Sequence, residues 1–368
     1  MDTRVRKLAG IFLEHSLKLK PEEHLIISIS DFTPLELLQE VYKQAIQTGA
    51  HIYLDVMGMN YDNLRADYAG LINIYLKYAT KEQLKAPLRI LQNKISWADK
   101  YLRIVTIHNK NFLTQVSTQK INVFKKNFYP EVRKIIKKPW LLTYFPSTGM
   151  AQDAGMSYND LVDFYYRACN VDYTAMSKRI AKLQSILDQG KFIRVITRNT
   201  DLTLGIANRQ AQGTDAGIHN IPDGECFLGP VEDQTTGNIT FEYPQSFMGN
   251  EISGIKLEFK QGKIVRFSAE KGQKQLKHLL EDDPGNRRIG ELGIGMNSMI
   301  KKYIKEILFD EKITGTVHLA LGNSYEQERG GGKNKGTIHW DLVKDLRYED
   351  SKLLVDNRII IKNGKVLV

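Results

Sequence analysis

The stretch HLIISISDFTPLELLQEVYKQAIQTGAHIYLDV, residues 24–56, indicates the fold of the first part of the chain. It starts with an apolar run at 24–30, continues with a helical pattern between Pro34 and Gly49, and ends with a second apolar run at 51–56. Proline is favoured in the first turn of a helix and glycine just past its end, so the order is strand, helix, strand. Two strands connected in this way lie parallel in a sheet that helices cover.

The same alternation extends through the first 145 residues. An amphipathic helix precedes the quoted stretch, with apolar residues at helical spacing: Val5, Leu8, Ile11 and Phe12. The patterns that follow are, in chain order, a helical stretch at about 72–95, the strand YLRIVTIH at 101–108, a basic helix, the strand WLLTYF at 140–145, and helical stretches at about 158–169 and 173–189. This order predicts a mostly parallel sheet with helices on its faces.

From residue 191 onwards the pattern changes to short strands separated by glycine turns, beginning with strands at 191–197 and 202–206. Two hairpins are expected, one turning at Gln261-Gly262 and one at Asn363-Gly364. A length of 368 residues also favours more than one domain. We therefore predict an N-terminal parallel-sheet α/β domain over 1–190. A C-terminal mixed, mostly antiparallel α+β domain over 191–368 should carry the metal site described below.

The composition is that of an ordinary globular protein, with 42% hydrophobic and 26% charged residues and a mean hydropathy of −0.35. No apolar run has the length of a membrane span, and the first ten residues have no signal-peptide core. Two cysteines, Cys169 and Cys226, are too few for a disulfide framework or a thiolate zinc site. These features predict a cytoplasmic protein with no membrane association.

The net charge of +10 raises the question of nucleic-acid binding. Lysines cluster at 125–138, but no RNA- or DNA-binding motif accompanies them and the aromatic residues are not spaced as a stacking platform. A solvated helix face is the preferred interpretation, so nucleic acid is not an expected partner. The alternative function is a catalytically repurposed two-domain scaffold that binds an acidic partner or RNA through the basic helix 121–138.

The strand IHWDLV at 338–343 carries a histidine and a carboxylate on one face, because residues two apart in a strand point the same way. His339 and Asp341 are therefore either solvent-facing polar residues or a pair of metal ligands. A hydrolytic metal site needs further His, Asp or Glu partners from elsewhere in the chain. His108, which ends a strand, and His219, which lies in a loop, are positioned to approach such a site.

Three other residues share this unusual placement. His318 interrupts the apolar strand GTVHLALG, Glu225 follows a Pro-Asp-Gly turn, and Glu291 lies in the glycine-flanked strand RIGELGIG. Each alone is explained by a hydrogen-bonded core histidine or a surface glutamate. Together with His339 and Asp341 they provide enough ligands for two metal ions.

The succession NIPDGECF, GELGIGMN, ILFDEKITGTVHLALGNSY and GTIHWDLV resembles the aminopeptidase T and aminopeptidase S family of dinuclear metallo-aminopeptidases, in its compact branch. The N-terminal segments KLAGIFLEHSLKLKPEEHLIIS and PLELLQEVYKQAIQTGAHIYLDV and the segment GMAQDAGMSYNDLVDFYYRAC are similar to that family as well. The resemblance covers essentially the whole chain.

The resemblance implies a metal-dependent aminopeptidase that releases N-terminal residues from peptides by attack of a metal-bound water at a two-metal site. The metal ligands would be Glu225, Glu291, His318, His339 and Asp341. Tyr325 would be the active-site tyrosine, with Glu291 and Glu225 also counted as catalytic. The two divalent ions would be zinc, cobalt or manganese, and the substrates would be peptides with a free N-terminus.

The resemblance also implies a homodimer. The segment 149–169 offers apolar residues for an interface or a pocket, although plain helix core explains them equally well: Met150, Met156, Phe164, Tyr165 and Tyr166. Two features depart from the better-known members. Gly224-Glu225 replaces a pair of glutamates, and the loop 326–337 is shorter. Both changes bear on the range of substrates, because loops at a site shape its pocket.

Overall fold

The computed structural model describes residues 2–56, 70–113, 115–247, 250–325 and 330–368. The chain forms two compact units. The first comprises Met1–Asn170 and Gly217–Pro222, and the second comprises Val171–Ala216 and Asp223–Val368. These bounds differ from the predicted division near residue 190 because the helix at 173–189 contacts a strand of the second unit.

The first unit contains a five-stranded sheet in which all neighbouring strands run parallel. With strands numbered along the whole chain, they are β1 His24–Ile29, β2 His51–Val56, β3 Lys100–Thr106, β4 Trp140–Phe145 and β7 Asn220–Ile221. The order across the sheet is β2-β1-β3-β4-β7. Every residue of the central strand β3 is buried, as expected for a parallel strand with helices on both faces.

The helices of the first unit are α1 Thr3–Gly10, a π-helix Ile11–Ser16, α2 Leu35–Gln47, α3 Leu71–Tyr78, α4 Lys81–Leu84, α5 Arg89–Trp97, α6 Thr118–Ile135, α7 Thr148–Ala154 and α8 Tyr158–Cys169. The helical stretch expected at about 72–95 is divided into α3, α4 and α5. Thr80 begins α4 with a capping box, and Pro87 separates α4 from α5, so local capping and proline end each segment.

The basic helix expected at 121–138 corresponds to α6, which buries Phe124 and Phe128. Lys120 in α6 donates to the carbonyl of Lys77, and Lys138, three residues past the end of α6, donates to the carbonyls of Ile95 and Ala98. Part of the predicted basic cluster therefore holds neighbouring segments of its own unit together.

Helix α8 and the segment before it form core in the first unit. Met150, Phe164, Tyr165 and Tyr166 are each at most 5% exposed, which favours plain helix core over a surface available for an interface. The predicted contribution of these four residues to a dimer interface is therefore not supported by their burial.

The second unit is built mainly of antiparallel sheets. Its strands are β5 Phe192–Thr197, β6 Thr200–Gly205, β8 Glu225–Leu228, β9 Thr235–Phe241, β10 Gln245–Phe247, β11 Asn250–Ile252, β12 Ile255–Lys260, β13 Lys263–Ser268, β14 Ile289–Gly295, β15 Thr316–Gly322, β16 His339–Asp345, β17 Lys352–Val355, β18 Arg358–Lys362 and β19 Lys365–Val366. Its helices are α9 Tyr173–Gln189, α10 Gln273–Glu281, a 3₁₀ helix Pro284–Arg287 and α11 Ile307–Asp310.

Eight of these strands form one sheet in the order β13-β12-β9-β6-β5-β17-β18-β19, and β10 pairs with β11. Both predicted hairpins are present in the larger sheet. Gln261-Gly262 and Asn363-Gly364 have positive φ at both positions, between 50° and 75°, which is the geometry of a tight two-residue hairpin turn. The prediction of an α/β unit followed by a mostly antiparallel unit is confirmed.

The remaining sheet has four antiparallel strands in the order β16-β15-β14-β8. Strands β14 and β15 are its centre, and every residue of both is buried. Both cysteines are free and buried. In the part of the chain that the structure describes, no helix is long and apolar enough to cross a membrane.

Candidate metal centre

The four-stranded sheet carries every residue that the sequence analysis proposed as a metal ligand. These are Glu225 in β8, Glu291 in β14, His318 in β15, and His339 and Asp341 in β16. Directly paired residues share a face of a sheet, and the register pairs Glu225 with Gly295, His318 with Gly293, and Asp341 with Ala320. Alternation along each strand then places all five on one face.

Glycine at position 293 provides the space in which the His318 ring lies. A Cβ atom at Gly293 would come within 2.1 Å of Cε1 of that ring, so the ring crosses directly over the glycine. Glycine inside a strand weakens the strand and often marks a close approach by another group. Here that group is an imidazole, which is 0% exposed.

The five side chains form a continuous series of contacts. His318 Nε2 is 3.2 Å from Glu291 Oε1 and 3.3 Å from Glu225 Oε2. His339 Nε2 is 3.6 Å from Glu291 Oε2 and 3.4 Å from Asp341 Oδ1. Glu291 therefore lies between the two histidines, with one carboxylate oxygen near each. The structure brings together all five predicted ligands, and their coordination roles remain a prediction.

A backbone hydrogen bond orients the His339 ring. Its Nδ1 donates to the carbonyl oxygen of Asn323 at 2.8 Å, so Nε2 is the nitrogen that faces the carboxylates. Metal-binding histidines typically donate their other ring N–H to a carbonyl or carboxylate in this way. The arrangement presents an Nε2 lone pair to the centre when the ring is neutral.

The donor atoms fit divalent cations. Glu225 Oε2, Glu291 Oε2 and Asp341 Oδ1 are buried and accept no hydrogen bond, although buried polar atoms in proteins nearly always have a partner. Nitrogen and carboxylate oxygen donors together suit zinc, cobalt and manganese. A divalent metal ion would therefore supply the partner that these oxygens lack.

The electrostatics of the two histidines reflect the surrounding acids. Burial lowers the pKa of His318, but the hydrogen bond to Glu291 and the charge of Glu225 outweigh burial and raise it to about 9. Burial likewise lowers the pKa of His339, while the charge of Asp341 raises it to about 10. Without a metal ion, both rings are therefore protonated at neutral pH.

The carboxylates respond in opposite directions. Burial raises the pKa of Glu225 to about 8, although the charge of Lys312 opposes this shift. For Asp341 burial also raises the pKa, but the neighbouring charge of His339 outweighs it and holds the pKa below its usual range. The centre thus contains one carboxyl group that binds a proton readily and one that stays ionised.

Tyr325 lies beside the predicted ligands. Its ring centroid is 5.2 Å from that of His339 and 5.4 Å from that of Phe227, which lies on the same face of the sheet as Glu225. The negative charge of Glu291 and partial burial hold the pKa of Tyr325 well above its usual range. The residue as a whole remains 43% exposed. Its hydroxyl stays protonated because of the raised pKa, so it is a hydrogen-bond donor beside the centre.

Two residues of the centre were missed by the sequence analysis. Glu311 and Lys312 follow α11, and Lys312 Nζ is 2.5 Å from Glu225 Oε1 and 2.7 Å from Glu311 Oε1. Among the described residues, two groups have ligating atoms all within 4.8 Å of one another: Glu225, Glu291 and His318, and Glu311, His318 and Asp341. In the sequence, these two residues are marked only by their adjacent opposite charges just before a buried strand.

His108 and His219, which the sequence analysis left open, have partners inside the first unit. His108 Nε2 is 2.8 Å from Asp31 Oδ2. The His219 ring stacks on Trp140, with centroids 4.8 Å apart. These contacts account for both rings without a metal ion. The loop 326–337 begins with residues 326–329, which lie outside the described part of the chain.

The fold and this set of side chains define the class. The sequence model of the thermophilic metalloprotease (M29) family matches residues 1–365, and the chain belongs to this family. A divalent metal cofactor and peptide substrates follow from that membership. The resemblance drawn from the four C-terminal motifs is confirmed.

Relatives of known name agree with this assignment. Aminopeptidase 2 from Geobacillus stearothermophilus is 25% identical over an alignment of 381 residues, which covers 92% of this chain and 88% of that protein. Wild-type AmpT from Thermus thermophilus superposes with a TM-score of 0.79 at 20% identity, covering 100% of this chain and 99% of that one.

A second solved structure shares the fold at greater distance. The 2,5-dihydroxypyridine dioxygenase from Pseudomonas putida KT2440 has a TM-score of 0.61 at 14% identity and covers 99% of this chain and 96% of its own. Likeness at such identities concerns the fold alone, and one fold hosts different chemistries. The activity of this chain must therefore be argued from its own side chains.

Proposed function

We propose that this chain is a metal-dependent aminopeptidase that binds two divalent ions through Glu225, Glu291, His318, His339 and Asp341. The observation that carries the proposal is the set of buried carboxylate oxygens without hydrogen-bond partners on one sheet face, next to two histidine rings. Membership of a metalloprotease family and relatives named as aminopeptidases support it.

The charge of the centre favours two ions over one. Glu225, Glu291, Glu311 and Asp341 contribute four negative charges when all four carboxyl groups are ionised, and Lys312 contributes one positive charge. In the metal-bound form, in which the histidines are neutral and Glu225 has lost its proton, the net charge is minus three, which is more than one divalent cation neutralises. Buried charge without compensation is strongly unfavourable, so a second ion is expected.

When bound, divalent ions in such a site lower the pKa of water and polarise the scissile carbonyl. Glu291, which has one carboxylate oxygen near each histidine, would be among the residues that hold these ions. Tyr325 stays protonated because the neighbouring acids raise its pKa. Its hydroxyl is therefore available as a hydrogen-bond donor to the oxyanion that forms from the carbonyl, a contribution of about 3–4 kcal/mol in comparable sites.

The centre also fits a substrate with a free N-terminus. One of the ions held by these carboxylates would bind the neutral α-amino group of the substrate, a nitrogen donor that an N-acylated peptide lacks. The rings of Phe227 and Tyr325 form an aromatic wall next to these carboxylates. The wall is suited to packing against the side chain of the first residue of a peptide.

Zinc, cobalt and manganese are the candidate ions because imidazole and carboxylate donors suit all three. A cytoplasmic location and a homodimer belong to the same proposal, and they rest on the family resemblance and on the two free cysteines.

Exhaustive chelation tests the proposal. The purified protein should release leucine from a chromogenic leucyl substrate, lose this activity with a chelator, and regain it with zinc, cobalt or manganese. Its fold should largely survive, because the ligands lie on strands of a unit with its own core. An N-acetylated leucyl substrate is the matched control and should not be hydrolysed. Unchanged hydrolysis after chelation would contradict the metal mechanism.

A further inference from the structure

A short stretch of backbone, residues 322–324, connects the end of β15 to Tyr325. Its three N–H groups donate, in chain order, to the backbone carbonyls of Arg288, Ile338 and Asn334. The carbonyl of Asn323, in the middle of the stretch, accepts the hydrogen bond that orients the His339 ring. The stretch therefore contacts one predicted ligand and carries the tyrosine beside the metal centre at its end.

Asn334 fastens both ends of this stretch. Its side-chain Nδ2 donates to the carbonyl of Gly322 at 2.6 Å and to the carbonyl of Gly285, in the 3₁₀ helix, at 2.8 Å. Its own carbonyl accepts the N–H of Ser324 at 2.9 Å. Asn334 is only 8% exposed, so water competes little for these bonds and they are stronger than on the surface.

The segment around Asn334 also packs closely against the stretch. A Cβ atom at Gly332 would lie 2.3 Å from Cβ of Ser324, and one at Gly336 would lie 2.7 Å from Cα of Gly322. These two glycines lie two residues before and two residues after Asn334, so the segment touches both ends of the stretch. At this packing density, a displacement of Asn334 must displace Ser324, to which Tyr325 is covalently joined.

We infer that Asn334 is a positioning residue for catalysis, which fixes the backbone of Ser324 and thereby directs the hydroxyl of Tyr325 towards the oxyanion. This inference rests on the proposed function, in which that hydroxyl is the donor. Tyr325 is 43% exposed, so packing alone holds its ring weakly. A displacement of about 1 Å at a group that acts on the substrate costs about a hundredfold in rate.

The predicted ligands should be less sensitive to Asn334. The ladder between β15 and β16 pairs Gly322 with His339, and the N–H of Asn323 donates to Ile338. These backbone contacts hold the His339 ring in place without the amide of Asn334. Loss of that amide should therefore affect the rate of the chemical step and leave the metal content unchanged.

A double-mutant cycle in the metal-loaded protein tests this role. Asn334→Ala removes both amide bonds and should lower kcat on a leucyl substrate by about 10–100-fold, with little change in KM. In the background of Tyr325→Phe the same substitution should lower kcat by less than about threefold, because the hydroxyl that it misplaces is already absent. A residue that only supports the fold would lower kcat by the same factor in both backgrounds. Asn334→Ser, whose single O–H can serve only one of the two carbonyls, provides the same comparison if the alanine variant does not fold.

Hydrogen exchange gives a second measurement that does not depend on activity. Peptides that cover residues 322–325 should exchange faster in metal-free Asn334→Ala than in the metal-free wild type, because the bonds that close this stretch are weakened. Wild-type exchange in this stretch would show that Asn334 does not hold it, and would overturn the inference.

Asn127→Ala is the matched control. Nδ2 of Asn127 also donates to two backbone carbonyls, those of Leu84 at 3.0 Å and Ala86 at 2.9 Å, but it lies in the first unit. Its loss should lower thermal stability without lowering kcat or changing exchange at 322–325. If Asn334→Ala leaves kcat unchanged, or lowers it equally with and without the Tyr325 hydroxyl, the inference is wrong and the proposed function stands. If Tyr325→Phe alone keeps the wild-type kcat, the proposed role of the tyrosine fails, and the inference fails with it.

Discussion

Lys312→Met should destabilise the metal-free protein far more than the metal-loaded protein. Methionine keeps the length of the side chain but removes the ammonium group that contacts Glu225 at 2.5 Å and Glu311 at 2.7 Å. Removing one partner of a buried ion pair costs about 3–5 kcal/mol. Burial already raises the pKa of Glu225 to about 8, so at pH 7 this carboxylate takes up a proton when the ammonium group is removed. The loss of unfolding free energy should then lie near the lower end of that range.

The expected change in melting temperature follows from this range. For a folded unit of about 150–250 residues, 1 kcal/mol corresponds to roughly 2–4 °C, so the metal-free variant should melt about 6–20 °C below the metal-free wild type. With saturating Co²⁺ or Zn²⁺ the difference should fall to less than half. The ions then supply the positive charge that the variant lacks, and binding to the folded state raises its stability.

Differential scanning calorimetry of both proteins, with and without metal, provides the measurement. Lys344→Met is the control. Lys344 lies on the same strand as Asp341 and is also fully buried, and its ammonium group bonds to Glu242 and, at 2.7 Å, to the carbonyl of Thr240. Its loss of stability should be the same with and without metal. An equal loss in both states for Lys312→Met would show that Lys312 supports the fold only and would refute the argument.

Three further predictions follow. Tyr325→Phe should lower kcat by roughly a hundredfold and leave the metal content unchanged, whereas His318→Ala should lose at least one ion. Loss of metal from Tyr325→Phe would place the tyrosine among the ligands. Metal binding at pH 7 should release protons, because His318 and His339, with pKa values of about 9 and 10, are protonated without metal and must be neutral to coordinate. Calorimetry of metal binding in buffers of different ionisation enthalpy measures this release. Binding enthalpies that do not depend on the buffer would contradict the prediction. Light scattering at low concentration should show a homodimer, and a monomer would count against that part of the proposal.

The fold was largely predictable because its signals are local. Pro34 and Gly49 mark the ends of a helix between two apolar runs, and the structure places β1, α2 and β2 there. The two glycine hairpins were equally clear. The long helical stretch was not, because capping at Thr80 and a break at Pro87 separate segments that share one helical periodicity. The strand β7 was missed because two residues carry too little pattern to recognise.

The site was predictable where polar residues interrupt buried strands. His318, Glu291 and the pair His339 and Asp341 are anomalous in their apolar surroundings, and that anomaly is visible in the sequence. Glu311 and Lys312 have no such surroundings. Adjacent opposite charges after a short helix are usual on a protein surface, and only the three-dimensional structure shows that the lysine is buried.

Glycines in β14 make room both for the ligands that the sequence reveals and for the residues that it does not. The motif GELGIG places Glu291, Gly293 and Gly295 at alternate positions of β14, so all three face the metal centre. Gly293 leaves room for the His318 ring, and Gly295 leaves room for the segment that brings Glu311 and Lys312 to Glu225. In a strand buried along its whole length, a glycine gives up packing that a larger apolar residue would gain. Two glycines on the strand face that also carries Glu291 therefore indicate that other polar groups cross the strand there. These groups are partners of the metal centre, and the pattern of charged residues in the sequence does not reveal them.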